Sequence, residues 1–151
     1  MLGLFRARKK TSPAKILVIG DEPDFVSIVE YRLKLVHYAV VTASDGKAGL
    51  ELAVAEKPDL ILLDTNVPAT HGQEMLERFR ADPTLKHIPV VVIVARQEED
   101  LGPSAWGVSD CVTKPFDFGQ LVDRIQAALE SAKRRQDVAN VVTGRKDERF
   151  S

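Results

Sequence analysis

Short apolar runs rich in Val, Ile and Leu recur along the chain at residues 16–19, 39–42, 60–63, 90–94 and 110–113. Three of them, 16–19, 60–63 and 90–94, are almost unbroken, as expected for parallel strands covered on both faces. Longer stretches with helical spacing lie between them. The spacing predicts a helix over 24–36, capped by Asp24, with Phe25, Ile28, Val29 and Val36 on one face. Asp45-Gly46 reads as a turn and 47–56 as a second helix. A third covers 72–81 and stops before Asp82-Pro83. The fourth, within 97–107, is weak because it contains Gly102-Pro103. The fifth runs from Asp117, its cap, to about residue 135. It turns Leu121, Ile125, Ala128 and Leu129 inward and gathers Lys133, Arg134 and Arg135 at its end, where cations suit the helix dipole. Strands alternating with helices give an α/β class, and five of each predict a doubly wound parallel sheet. In such a sheet the ligand site lies beyond the carboxyl ends of the strands.

With 151 residues the chain fits one domain that buries roughly two-thirds of its unfolded surface. Its longest apolar runs fall far short of the ~20 residues of a membrane span. The N-terminus lacks the long apolar segment of a signal peptide. The single cysteine, Cys111, permits no internal disulfide. A cytoplasmic location is therefore expected. The net charge of −1 hides an asymmetry: residues 1–15 carry five basic side chains and no acid, and residues 133–151 carry six basic against three acidic ones. The 10 basic and 19 acidic side chains between them make the centre strongly acidic. This divides the chain into a basic tail (1–14), a domain (15–132) and a basic extension (133–151) that either prolongs the fifth helix or forms a disordered tail. The first tail reads as a solvated arm, with Leu2, Leu4 and Phe5 leaving an interfacial anchor open. Residues 136–151 are too few for a DNA-binding output domain, so no direct DNA binding is expected.

Three predicted strand ends carry polar residues that a doubly wound sheet brings together: Asp21, Asp64 and Lys114. Two neighbouring carboxylates repel, and Mg²⁺, which takes oxygen ligands at about 2.0–2.1 Å, relieves that repulsion. The lysine can neutralise an incoming phosphoryl oxygen while a carboxylate attacks phosphorus. These are the parts of an aspartyl-phosphate site. The bland readings remain beside it: Asp21 as a turn former, and Lys114 as a structural counter-ion making the same contact.

On its motifs the chain, from about residue 15 to 129, resembles the receiver domains of two-component response regulators. The motifs are Lys15-Ile-Leu-Val-Ile19 followed by Asp21-Glu22-Pro23, Pro58-Asp-Leu-Ile-Leu-Leu-Asp64 with Pro68, His87-Ile-Pro-Val90, and Thr113-Lys114-Pro115-Phe116. The resemblance implies a flavodoxin-like, five-stranded parallel sheet of order 2-1-3-4-5 with helices on both faces. It implies Asp64 as phosphoacceptor, supplied by a histidine kinase or phosphotransfer protein, and a downstream effector protein as partner. Asp21, Asp64 and the Asn66 backbone carbonyl would hold Mg²⁺. Lys114 would pair with Asp64 or its phosphate, and the Lys114–Pro115 bond would be cis. The expected role is a stand-alone, atypical receiver, not an enzyme beyond accepting a phosphoryl group and losing it slowly.

Three positions depart from that family's pattern. Gly20 stands where a second acid usually precedes the metal ligand, which weakens the Mg²⁺ site. Val94 replaces the hydroxyl residue at the end of strand four and cannot hydrogen-bond a phosphoryl oxygen. Cys111 replaces the aromatic residue of strand five and reads as a small buried hydrophobe. The familiar hydroxyl-and-ring switch is thus missing both partners. Glu22 is a candidate for partial substitution of the acid missing at Gly20, but its direction depends on the turn. The alternative function is a haloacid-dehalogenase-like phosphatase or phosphotransferase with Asp64 as nucleophile. Against it, Asp64-Thr-Asn66-Val67 has an amide where a second acid is needed, and the nucleophile is on the third strand. His37, His71 and His87 read as surface or loop residues, and Trp106 as packing or an exposed docking patch.

Overall fold

The computed structural model describes residues 13–65, 72–95 and 107–150, with side chains described as far as Val141. Five strands, β1 (Lys15–Ile19), β2 (Ala39–Ala43), β3 (Leu60–Asp64), β4 (Val90–Val94) and β5 (Asp110–Thr113), pair all-parallel in the order β2-β1-β3-β4-β5. The order reverses at β1, so β1 and β3 are neighbours and their carboxyl ends flank the crevice of a doubly wound sheet. Four helices accompany them among the described residues: α1 (Pro23–Leu35), α2 (Gly46–Glu56), α3 (Gly72–Ala81) and α4 (Phe118–Phe150). The fourth helix expected near 97–107, with Gly102-Pro103 and Trp106, lies outside the described residues, as do His71 and the basic segment 1–12.

Alternation along the strands sends apolar side chains to two layers. Leu17, Ile19, Ile61, Leu63, Val92 and Val94 face α2 and α3, where they meet Ala53, Met75, Leu76 and Phe79. Ile16, Val18, Leu60, Leu62, Val91, Ile93 and Val112 face α1 and α4, where they meet Val26, Val29, Leu33, Leu121, Ile125 and Ala128. Every residue of β3 and β4 is buried, which accounts for their unbroken apolar sequence. Gly49 is set by this packing, because a Cβ there would lie 2.6 Å from Ile19 Cδ1. The parallel sheet with helices on both faces is the flavodoxin-like arrangement.

The helices correct the sequence reading in detail. The face of α1 that meets the sheet is Val26, Val29 and Leu33, whereas Ile28 is 60% and Val36 42% exposed. Its N-cap is Glu22 rather than Asp24, with Pro23 at the first helical position, where its missing N–H costs nothing. Asp45 is the cap of α2, accepting a hydrogen bond from the Ala48 N–H at 2.8 Å. Asp117 accepts from the Gly119 N–H at 2.7 Å and opens α4 as expected. That helix continues for 33 residues to Phe150. Lys133, Arg134 and Arg135 therefore sit mid-helix, beyond the reach of the terminal dipole. His37 and His87 are exposed loop residues, His37 in the left-handed region at φ 74°.

Candidate functional site

The register of the sheet assembles the site. Ile19 pairs with Leu63, so the next residues, Gly20 and Asp64, end β1 and β3 side by side. An ideal Cβ on Gly20 would stand 3.4 Å from Asp64 Cβ. Asp64 also pairs with Ile93 of β4. The Lys114 N–H donates to the Val94 carbonyl at 2.9 Å and prolongs the β4–β5 ladder one residue past Thr113. Three strand ends thus meet at one edge of the sheet, with Asp21 one residue beyond Gly20.

Asp64 is the one buried polar or charged residue of the described core, 2% exposed. Lys114 Nζ donates to its Oδ2 at 3.0 Å. A buried carboxylate is sustained by such a partner, and removing one member of a buried ion pair ordinarily costs about 3–5 kcal/mol. The same ammonium lies 3.6 Å from Glu22 Oε1 and 4.6 Å from the centroid of the Phe25 ring. Phe25 in turn meets Phe116 edge-on, with ring centroids 6.1 Å apart. Lys114 is therefore held by a buried acid, a rim acid and an aromatic face. The sequence pointed to Asp64 and Lys114. It missed Phe25 and Phe116, whose only signal was their closeness to Glu22 and Lys114 in the motifs. The Lys114–Pro115 bond is cis.

Of the three altered positions, Gly20 lies in the crevice beside Asp64, while Val94 and Cys111 lie on the other side of the sheet. Val94 is 1% exposed and belongs to the α2–α3 layer, against which Cys111 also packs. Cys111 is half-buried rather than sealed in the core, and burial, with Asp110 adding to it, pushes its thiol up to about 11. It stays protonated at neutral pH and is a poor nucleophile. Arg124 of α4 donates to Asp110 Oδ1 at 2.9 Å and to the Cys111 carbonyl at 2.8 Å, fastening the half-buried edge strand β5.

Asn66 lies outside the described residues. Among the described residues no three His, Cys, Asp or Glu side chains gather into a group that could hold a metal. Mg²⁺ asks for less, one or two carboxylates completed by water, and the acids Asp21 and Asp64 at adjacent strand ends supply hard oxygen donors of that kind.

Beside Lys114, a cavity of about 740 Å³ is lined by Phe25, Ile28, Arg32, Pro115, Phe116 and Phe118, among others. A larger one of about 880 Å³ lies at the amino-terminal edge of the sheet, near Ala14, Pro58, Pro89 and Leu129. The larger is remote from the strand ends where Asp64 and Lys114 meet. No helix among the described residues is long and apolar enough to cross a membrane.

Comparison with known proteins agrees with this geometry. Residues 16–126 match the family model described as the response regulator receiver domain. The alkaline phosphatase synthesis transcriptional regulatory protein PhoP of Bacillus subtilis is 38% identical over 83% of this chain and 50% of its own length. Hybrid signal transduction histidine kinase D of Dictyostelium discoideum is 37% identical over 80% of this chain and 8% of its own. The chain thus spans half or less of these two relatives. The structure of the chemotaxis response regulator CheY4 of Vibrio cholerae superposes with a TM-score of 0.68 at 27% identity, covering 77% of this chain and 98% of that one.

Proposed function

The chain belongs to the response regulator receiver domain family, and from that premise we propose that Asp64 is its phosphoacceptor and Lys114 the cation that steadies the transferred phosphoryl group. A receiver domain works in two-component signal transduction as a phosphoacceptor acting through protein–protein contacts, not as a turnover enzyme. The observation that carries the assignment is the Asp64 carboxylate at the end of β3, 2% exposed and hydrogen-bonded at 3.0 Å by Lys114. Nothing favours the phosphatase alternative, whose nucleophile would end the first strand rather than β3.

The donor in this reading is a phosphohistidine of a histidine kinase or phosphotransfer protein. An Asp64 oxygen attacks phosphorus and the P–N bond breaks. The imidazole nitrogen keeps the electron pair and takes a proton from water. Lys114 follows the charge that develops on the phosphoryl oxygens, and Asp21, Asp64 and the Asn66 carbonyl are the groups that would hold Mg²⁺. When bound, the ion screens the carboxylates from the anionic phosphoryl group. The apolar cavity next to Lys114 gives a protein donor a seat beside the acceptor, with exposed Ile28 on its edge. Val94 offers no hydroxyl and Cys111 no ring, so the phosphorylated state is read by an effector protein through another part of the surface. The setting is the cytoplasm.

Incubating the protein with Mg²⁺ and acetyl phosphate tests the assignment by intact mass. Wild type should gain one acid-labile phosphoryl group and Asp64→Asn none. An unmodified wild type, or equal modification of both, would refute it.

A further inference from the structure

Glu22 occupies the N-cap position of α1 with an extended backbone, φ −99° and ψ 103°, yet its side chain makes no capping hydrogen bond. The side chains that turn back onto the free N–H groups of a first turn are the short ones of Asp, Asn, Ser and Thr, and the longer Glu is free to reach elsewhere. This one reaches across the crevice and places Oε1 3.6 Å from Lys114 Nζ. We propose that Glu22 is an electrostatic brake on phosphoryl transfer to Asp64, a positioning residue that acts through Lys114. The inference rests on the phosphoacceptor reading above and concerns the same site.

Lys114 has two anionic partners of unequal kind. Asp64 is buried, while the Glu22 side chain is 57% exposed and sits at the rim. For a phosphoryl group to settle on Asp64, the ammonium must turn to the new oxygens. Glu22 draws it toward the rim and also presents a negative charge to an incoming anion. With no side chain at Gly20, no acid there competes with Glu22 for the lysine. Solvent screening at the rim keeps the effect modest, about two- to five-fold in rate.

The test compares wild type, Glu22→Gln, Glu30→Gln and Asp64→Asn. Glu30 pairs with Lys34 on the same helix, so Glu30→Gln removes an equal charge from a different ion pair. Each protein is treated with acetyl phosphate and Mg²⁺; an Asp64 oxygen attacks phosphorus and acetate leaves with the electron pair. Adduct formation is followed by intact mass. Glu22→Gln should react about two- to five-fold faster than wild type at low ionic strength. The gain should shrink toward ~1 M salt, where the Debye length falls to ~3 Å. In the unphosphorylated protein, the Lys114 ammonium resonance should shift in Glu22→Gln and stay in place in Glu30→Gln. Equal rates in wild type and Glu22→Gln overturn the brake and leave the acceptor intact. A slower Glu22→Gln overturns it too, making Glu22 a contributor to cation binding. If wild type and Glu22→Gln both stay unmodified, the acceptor reading fails and the brake falls with it.

Discussion

A side chain at position 20 would enter the crevice between α1 and β3. An ideal Cβ there meets Val26 Cγ2 at 3.2 Å and Asp64 Cβ at 3.4 Å, so Gly20→Asp fits if Val26 gives by a few tenths of an ångström. It would set a third carboxylate beside Asp64 and Asp21. A unit charge at ~4 Å is worth ~1 kcal/mol in water and about four times that at an effective dielectric of 20. Mg²⁺ carries two charges, so even the water figure doubles to ~2 kcal/mol, and calorimetric titration should find Mg²⁺ bound roughly thirty-fold more tightly by Gly20→Asp than by wild type. Unchanged affinity would mean that the missing acid is not what limits the cation site. Asp64 was legible in the sequence because a charged residue ending an unbroken apolar strand has few structural reasons to be there, and Lys114 because it follows the last strand in Thr113-Lys114-Pro115-Phe116. Glu22 was not legible in the same way. Its role depends on which way one side chain leaves a turn, and periodicity carries no such information.

Apolar stripes decide which way an element faces, and α1 carries two of them. Val26, Val29 and Leu33 form one, and Ile28, Tyr31 and Leu35 the other; both recur at helical spacing, so pattern alone could not choose between them. Packing of Val26, Val29 and Leu33 with the sheet and α4 fixes the rotation of the helix, and that is a tertiary fact. The strands posed no such problem, since a strand buried on both faces needs no face to be chosen. Leu33 is fully buried, whereas Ile28 is 60% exposed. Leu33→Ala should therefore lower unfolding stability by about 2–5 kcal/mol. Ile28→Ala should change it by no more than ~0.5 kcal/mol, both read from urea denaturation. The reverse order would place Ile28 rather than Leu33 against the sheet. The exposed stripe also borders the cavity at Lys114, so Ile28→Ala is better suited than any core change to separating partner contact from stability.

The whole molecule is a closed α/β layer structure from which one helix runs on. Over its first turns α4 buries Leu121, Ile125 and Ala128 against the sheet, but residues 133–141 are all exposed, including Val138 at 63% and Val141 at 53%. At 1.5 Å per residue its 33 residues extend about 50 Å, far beyond the three turns that meet the core. Sequence periodicity ended this helix near residue 135 because its apolar face fades there, which marks the end of packing rather than the end of helix. The extension therefore adds helical backbone without adding core. Truncation after Asp137 should leave the urea midpoint nearly unchanged, within the ~0.5 kcal/mol typical of surface changes, while the far-UV helical signal falls by the share of residues removed. A loss above ~1 kcal/mol would show that the extension packs on the domain. A midpoint that holds would mean that the acidic receiver body keeps its fold independently of the basic helix, leaving that helix free to serve contacts outside the sheet.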